Sequence, residues 1–421
     1  MDEWLKILIM LPMLFLLPGK IYGQSARGAD IGWLSEMEDA GRIWRDSTGR
    51  QKDLLDILDD YCINSIRLRV WVNPAGGWSG KEDVVHLARR AFAKGYRIMI
   101  DFHYSDSWAD PGKQNKPLTW QSYNVASLEQ AIYDHTIDVL QGLKAENIVP
   151  EWVQVGNETN NGLLWPEGQA SSQMGNYAKF VSSGYKAVKS LFPQTKVIVH
   201  VSNGYDNALF RWNIGGLLQQ GAQFDVIGMS MYPENTEAWK AYADQTLNNM
   251  KDMIHRYGKE IMISEVGLPV SAPSEARQLV ERIISDLQSL PAQKGLGVFW
   301  WEPEAYDWKG YDKVAWNGGS GSNAFQATEA MKGFMKGCQN ITATTEKRED
   351  EKIYTVHDSG DNDFILVATE AMELVVYNAL GVLMEKLDAA ENRKFGAAYR
   401  PGIYFVRGEG SGTIVRKLIK K

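Results

Sequence analysis

From Arg27 to about Cys338, short apolar runs alternate with amphipathic stretches along the chain. Strands are expected near Gly28–Trp33, Ser65–Trp71, Arg97–His103, Trp152–Gly156, Lys196–Val201, Val226–Met231, Ile261–Glu265 and Gly297–Trp301, because each is a brief run rich in β-formers bounded by polar or turn residues. Between them the apolar residues recur at helical spacing. Val84, Leu87, Ala88, Ala91 and Phe92 form one such face, and Ile132, Thr136, Val139, Leu140 and Leu143 another. Gly95 follows the first face where a helix C-cap is expected. Strand–helix alternation implies a parallel sheet, and eight such units in about 310 residues fit a (β/α)8 TIM barrel, an α/β fold, better than an open sheet. No Gly-x-Gly-x-x-Gly turn follows the first strand, which argues against a dinucleotide-binding sheet.

The pattern changes at both ends. Residues 1–23 read as a signal peptide, with an apolar segment from Ile7 to Leu17 too short to span a bilayer, and cleavage is expected near Gly23–Gln24. The chain is therefore expected to be exported, whether secreted, periplasmic or held at the cell surface. After the barrel (27–338), residues 339–352 are polar and aperiodic and read as a linker. Residues 353–421 carry short alternating runs, Phe364–Ala368, Met372–Tyr377, Ile403–Val406 and Thr413–Ile419, and read as a small β-sandwich-like module. Asn340-Ile341-Thr342 matches a glycosylation sequon, too short a match to carry weight.

Polar residues gather at the expected strand C-termini, the end of a barrel where active sites lie. Asp30 belongs to the first strand. Arg67 and Arg69 share a face of the second, and Asp101 and His103 share a face of the third. Asn157 and Glu158 end the fourth, Tyr232 follows the sixth, Glu265 ends the seventh, and Trp301 and Glu302 end the eighth. Strands four and seven face each other across an eight-stranded barrel. Two carboxyl groups at their tips suit glycosidic bond cleavage, which needs a proton donor for the leaving oxygen and a carboxylate on the other side of the sugar. Glu158 is expected to be the acid/base and Glu265 the nucleophile. Asn157 would bind the sugar 2-hydroxyl, Arg69 would hold Glu265 ionised, and Tyr232 would position it. His103 and His200 would bind hydroxyls, His200 fitting equally a satisfied core histidine. Trp301 would underlie the reacting sugar, with Trp108 and Trp165 at neighbouring subsites. Asp30 joins this substrate-binding set. Glu302 and Glu304 suit contacts to hydroxyls or to an arginine.

Composition narrows the partners. A net charge of −7 disfavours nucleic acid, which demands a basic face. Most of the 15 Trp and 18 Tyr suit core packing, about two thirds on the burial habits of aromatics, but Trp33, Trp71, Trp78, Trp108, Trp120, Trp165, Trp301 and Trp308 stand in loop-like contexts suited to stacking on sugars. The two cysteines, Cys62 and Cys338, form no framework. Cys62 reads as a small buried residue, and sequence alone leaves open whether the two meet. No metal-binding spacing is present, neither a His-Glu-x-x-His helix nor an EF-hand loop, and no later apolar segment is long enough to span a membrane. A monomer is expected.

Several motifs together resemble family 53 of the glycoside hydrolases, the arabinogalactan endo-β-1,4-galactanases. They are Gly28-Ala29-Asp30-Ile31, Glu36-Met37-Glu38, Asn64-Ser65-Ile66-Arg67-Leu68-Arg69-Val70-Trp71, Asp101-Phe102-His103-Tyr104-Ser105-Asp106, Trp108-Ala109-Asp110-Pro111, Gln154-Val155-Gly156-Asn157-Glu158, Gly228-Met229-Ser230-Met231-Tyr232-Pro233 and Trp301-Glu302-Pro303. The resemblance covers roughly residues 27–338 and implies a barrel that cleaves internal β-1,4-galactosidic bonds of (arabino)galactan in pectin side chains, with retention, through Glu158 and Glu265. Some bacterial relatives carry an Asp- and Gly-rich calcium loop after strand seven. Here Leu268-Pro269-Val270-Ser271-Ala272-Pro273 is short and lacks those acids, so no cofactor is expected, calcium included. Val375-Val376-Tyr377-Asn378, Gly381 and Pro401-Gly402-Ile403-Tyr404-Phe405-Val406 resemble a type IX secretion sorting domain. Two alternatives stay open on sequence: a sugar-binding or transglycosylating protein on the same barrel, or specificity for β-mannan, β-glucan or xylan.

Overall fold

The computed structural model describes residues 25–318 and 322–338, and in the C-terminal part 354–358, 364–368, 372–378, 383–389, 393–399, 402–408 and 415–420. The expected signal peptide (1–23), the linker (339–352) and the sequon lie outside the described residues. The chain divides into two compact units, Met1–Gln339 and Asn340–Lys421.

In the first unit eight parallel strands close into a barrel: β1 (Ala26–Asp30), β2 (Ser65–Val70), β3 (Arg97–Phe102), β4 (Trp152–Val155), β5 (Lys196–Val201), β6 (Val226–Met231), β7 (Glu260–Val266) and β8 (Gly295–Trp301). Strand β1 pairs with both β2 and β8, which completes the circle. The outer helices are α1 (Leu54–Asp60), α2 (Lys81–Ala93), α3 (Val125–Ala145), α4 (Ala170–Leu191), α5 (Asn207–Gln219), α6 (Trp239–Tyr257) and α7 (Pro273–Ser289). Both helical faces anticipated from spacing are buried, on α2 and α3, except that Phe92 is 43% exposed. Gly95 stands just past the end of α2 at φ +89°, a left-handed position that glycine adopts without steric cost, and its N–H donates to the Phe92 carbonyl. The first strand is shorter than expected. It stops at Asp30, and Trp33 already leads into a short helix, Leu34–Asp39.

The barrel interior is layered. Ala26, Met99, Trp152, Ile198, Val226, Met262 and Phe299 fill the end where the strands begin. Further along, the inward positions turn polar in step with the period of two: Asp101 stands two residues after Met99, Gln154 two after Trp152 and His200 two after Ile198, while on β1 Asp30 stands four after Ala26. Strand β7 breaks this period. Met229 of β6 pairs with Ile263, but the next residue, Ser230, pairs with Glu265, so one residue of β7 is bulged out. The bulge turns Glu265 to the inward face, which strict alternation from Met262 and Ser264 would deny it.

The second unit contains a three-stranded sheet, Tyr354–Asp358, Phe364–Ala368 and Arg393–Phe395, and a four-stranded sheet, Met372–Asn378, Leu383–Ala389, Gly402–Gly408 and Val415–Lys420. Phe364, Leu374, Val376, Leu387, Phe395, Tyr404 and Val406 form its core, drawn from both sheets, as in a sandwich. Three of these strands, Tyr354–Asp358, Leu383–Ala389 and Arg393–Phe395, are too polar to stand out by alternation.

Cys62 and Cys338 form a disulfide across 276 residues of chain, and Cys62 is half-buried rather than a small core residue. The bond ties the first βα unit to the last described residue of the barrel unit. Closing so long a loop removes much of the unfolded chain's freedom, worth ~5 kcal/mol in the chain-entropy account. Reduction, or Cys338→Ser, is therefore expected to lower the melting temperature by several degrees while leaving activity at room temperature intact. Calorimetry with and without reductant checks this, and an unchanged melting temperature would contradict it.

Candidate active site

The site is built around Arg67, whose guanidinium is fully buried at the centre of the barrel mouth. Its Nη1 meets Asp30 Oδ2 at 2.6 Å, and its Nη2 meets Asp101 Oδ2 at 2.8 Å and Glu265 Oε1 at 3.0 Å. Nη2 also donates toward Asn157 Oδ1 at 3.0 Å and Gln154 Oε1 at 3.3 Å. One side chain thus joins β1, β2, β3, β4 and β7. Burial disfavours its charge, but the carboxylates of Asp101, Glu265 and Asp30 raise its pKa above the ordinary arginine value. Burial likewise acts to raise the Asp101 carboxyl, yet Arg67 and His103 hold it below its usual range.

The expectation that Arg69 holds Glu265 is corrected: Arg67 does. The two arginines share a face of β2, but Arg69 lies one layer nearer the rim and turns to Glu302, with which it forms a buried ion pair, and to Asp30 at 3.8 Å. Its guanidinium lies 4.6 Å from the ring centre of Trp108, 5.2 Å from Trp33 and 5.4 Å from Trp71. A β-carbon on Gly32 would come 2.4 Å from Arg69 Nη1 and would push the guanidinium from this place. Burial raises the Glu302 carboxyl to about 7 despite Arg69, and burial with the neighbouring Glu302 raises Glu304 well above the carboxylate range.

Glu158 follows Gly156 (φ +84°) and itself adopts φ +44°, a sharp reversal at the tip of β4 that costs a non-glycine residue about 1 kcal/mol. The reversal carries its carboxyl over the mouth, where Ser230 Oγ donates to Oε1 at 2.6 Å. Tyr232, two residues further along, donates to Glu265 Oε2 at 2.9 Å. The two carboxyl groups therefore hang from neighbouring inward positions at the end of β6, and Glu158 acts to raise Glu265 electrostatically. Burial pushes the Glu158 carboxyl up to about 7, against the Ser230 hydroxyl and Arg67, while Asp110 and Asp101 add to the rise. Burial also raises Glu265, with Arg67 opposing it. Only Glu265 touches a guanidinium.

Both histidines are absorbed by the protein. His200 is fully buried; its Nδ1 lies 2.9 Å from Gln154 Nε2, 3.0 Å from Asn157 Oδ1 and 3.4 Å from the Glu158 backbone nitrogen. Its Nε2 lies 2.8 Å from Ser230 Oγ, whose hydroxyl continues to Glu158. Burial, and then Arg67, hold His200 well below its usual pKa, so it is neutral. His103 Nδ1 accepts from Ala109 N–H at 3.1 Å and from Trp71 Nε1 at 3.2 Å, which leaves Nε2 to donate to Asp101. Asp30 and His200 are 0% exposed and Arg69 1%, and all three are engaged by protein partners: Asp30 by Arg67, His200 by Ser230 and Arg69 by Glu302.

Asn157 is 6% exposed and spends one Nδ2 hydrogen on the Ala109 carbonyl at 2.8 Å, leaving the other. Trp301 is half-buried and packs edge-on against Trp33 at 5.1 Å, Trp108 at 5.7 Å and Tyr311 at 4.6 Å between ring centres. Trp165 is half-buried, its Nε1 donated to the Asn161 carbonyl at 2.8 Å. Sequence reasoning overlooked Ser230, Gln154 and Tyr311. Ser230 was legible, since a period of two from Tyr232 leads to it; Tyr311, in the loop after β8, carried no signal. Among the described residues no group of His, Cys, Asp and Glu could hold a metal, and no helix is long and apolar enough to cross a membrane.

A closed parallel barrel bearing two glutamates at the tips of β4 and β7, one beside a guanidinium, one on a hydroxyl, and an aromatic wall beside them, defines a glycoside hydrolase of the two-carboxylate kind. The chain belongs to Glycosyl hydrolase family 53, whose profile matches residues 26–335. A probable arabinogalactan endo-β-1,4-galactanase A of Aspergillus terreus is 34% identical over 318 residues, 70% of this chain and 90% of the relative. A solved fungal β-1,4-galactanase superposes with TM-score 0.67 at 30% identity, covering 74% of this chain and 99% of that one. The family 53 catalytic domain of Ignisphaera aggregans gives 0.66 at 27%, covering 76% and 97%.

The rise of Glu158 has a consequence for stability. A folded-state pKa of about 7 lies above the unfolded value near ~4.3, so folding takes up a proton between them. The associated stability is fully present below pH ~4.3 and is lost as pH rises through about 7. Glu158→Gln has no such proton. Its stability relative to wild type is expected to improve between pH 5 and pH 8 by up to ~2 kcal/mol, allowing for screening at a half-buried group. Denaturant unfolding at both pH values checks this, and a pH-independent gap would contradict it.

Proposed function

We propose that this chain is a retaining endo-β-1,4-galactanase that cuts internal bonds of (arabino)galactan, with Glu158 as acid/base and Glu265 as nucleophile. The observation that carries the reading is the unlike environment of the two carboxyl groups. Burial raises both carboxyls, Glu265 well above its ordinary value and Glu158 to about 7, but Glu265 contacts the Arg67 guanidinium at 3.0 Å and accepts from the Tyr232 hydroxyl, both of which favour its ionised form, whereas the Glu158 carboxyl meets the Ser230 hydroxyl. Of a pair sharing one proton, Glu158 holds it.

The chemistry then runs in two displacements. Glu158 gives its proton to the glycosidic oxygen as that oxygen leaves C1, and a Glu265 oxygen forms a bond to C1 from the opposite face. A water then attacks C1, Glu158 takes the water proton, and the bond to Glu265 breaks. The configuration at C1 is retained and both carboxyl groups return to their starting states. Asn157 offers its free Nδ2 hydrogen to the sugar 2-hydroxyl. Trp301 forms the platform of the reacting sugar, with Trp108 and Trp165 beside it. His103 acts from the wall, by orienting Asp101 and Trp71 more than by touching substrate.

The substrate preference for β-1,4-galactan rests on the family and on the galactanase names of the relatives above. The remaining features follow the same reading: no cofactor, a monomer, and export, with the C-terminal β-module serving as a type IX sorting domain by its Val375–Asn378 and Pro401–Val406 motifs.

Glu265→Ala and Glu158→Ala are each expected to lower kcat at least ~10³-fold on galactan, since each removes a group acting in the transition state. Azide should restore turnover of a nitrophenyl galactobioside by Glu265→Ala, giving an azide of inverted configuration. Wild type should release a ladder of oligosaccharides from unbranched galactan at early times, and little from mannan or xylan. Full activity in either variant, or galactose as the sole early product, would overturn the assignment.

A further inference from the structure

Outside the catalytic mouth, the loop leaving β3 and the first half of α3 enclose an open groove of about 670 Å³. Trp120 and Tyr123 come from the loop, Gln130, Asp134 and His135 from the helix, and Val72 from the stretch after β2. We propose that this groove is a second binding site for the galactan chain, separate from the subsites of the cleft. The inference rests on the galactanase reading for the identity of the polymer.

Three observations carry it. First, the lining suits a neutral sugar. It joins aromatic surface to amide, hydroxyl and carboxylate groups and contains no Lys or Arg, which excludes phosphate and sulfate as the preferred ligand. Tyr123 is 37% exposed, a large ring turned to solvent on the side of the barrel where the active site opens. Gln130 Nε2 donates to Asp134 Oδ1 at 2.8 Å, one helical turn on, so an amide and a carboxylate are fixed side by side. Such a pair can bind two adjacent sugar hydroxyls, accepting from one and donating to or accepting from the next.

Second, the groove contains an unexplained polar atom. His135 Nε2 is buried with no hydrogen-bond partner among the described residues, its ring enclosed edge-on by Phe102, Tyr104 and Trp120. Burial lowers its pKa to about 4, so the imidazole is neutral and suited to a hydroxyl rather than an anion. The groove therefore gains no positive charge from its histidine, in keeping with a neutral ligand.

Third, the groove lies beside the loops that carry the aromatic wall. Trp71, in edge contact with Trp108 of the aromatic wall, is followed directly by Val72, which lines the groove. The Val72 N–H donates to the Ser105 carbonyl and ties the β2 and β3 loops together at that point. A long chain has the length to occupy cleft and groove together, which a short oligosaccharide lacks.

The test uses the full chain and the double variant Tyr123→Ala/Gln130→Ala, both surface changes distant from the catalytic carboxyls. On long galactan the double variant is expected to show kcat/KM lowered roughly threefold to tenfold, with turnover of nitrophenyl galactobioside unchanged. In a native gel containing soluble galactan, Glu265→Ala should be retarded more than Glu265→Ala carrying the two further changes, with β-glucan retarding neither. Equal retardation and equal polymer kinetics would overturn the groove while leaving the galactanase reading intact. A wild-type chain that fails to cut galactan would remove both. Parallel loss on polymer and small substrate would also overturn it, since that marks damage to the mouth.

Discussion

The site depends on one buried guanidinium. Arg67 stands where five barrel strands converge, and its charge is set against the buried carboxyl groups of Asp30, Asp101 and Glu265. Asp30 and Asp101 fix the guanidinium from β1 and β3, so that its contact to Glu265 on β7 is made at a fixed place and with a fixed charge. Removing one partner of such a cluster leaves charge uncompensated and costs several kcal/mol, about 3–5 for a buried pair. Arg69 repeats the arrangement one layer outward with Glu302, where it supports the indoles of Trp33, Trp71 and Trp108 rather than the reacting carboxyls. Two arginines two residues apart on one strand thus serve different layers.

Geometry does the rest with small devices in the backbone. The bulge in β7 brings Glu265 inward beside Ser230, and the left-handed turn at Glu158 carries the other carboxyl over the mouth. Strand β6 is the shared reference: Ser230 holds Glu158 and Tyr232 holds Glu265, and the period of two between them sets both carboxyl groups against one face. His200 orients Ser230 from behind without meeting solvent.

Much of this was legible in the sequence. The eight strands stood out because their outward faces pack under helices and read as continuous apolar runs, and the strand-end rule singled out Glu158, Glu265 and Tyr232. Three things were hidden. The choice between Arg67 and Arg69 turns on depth along a strand, which periodicity does not resolve. The bulge in β7 leaves no trace in Ile261–Glu265, since it is a feature of pairing with β6. The Cys62–Cys338 bond joins residues 276 apart, and only the closure of the barrel brings them together. The polar strands of the second unit escaped for another reason: short edges of a small sheet need few apolar residues.

The central claim is that Glu265 becomes covalently bonded to the sugar while Glu158 handles the proton. Trapping tests it most directly: incubation with a 2-deoxy-2-fluoro galactobiosyl fluoride, then proteolysis and mass spectrometry of the labelled peptide. The account predicts one disaccharide per chain, attached at Glu265. A label at Glu158, Glu302 or Glu304, or inactivation with no covalent adduct, would contradict it.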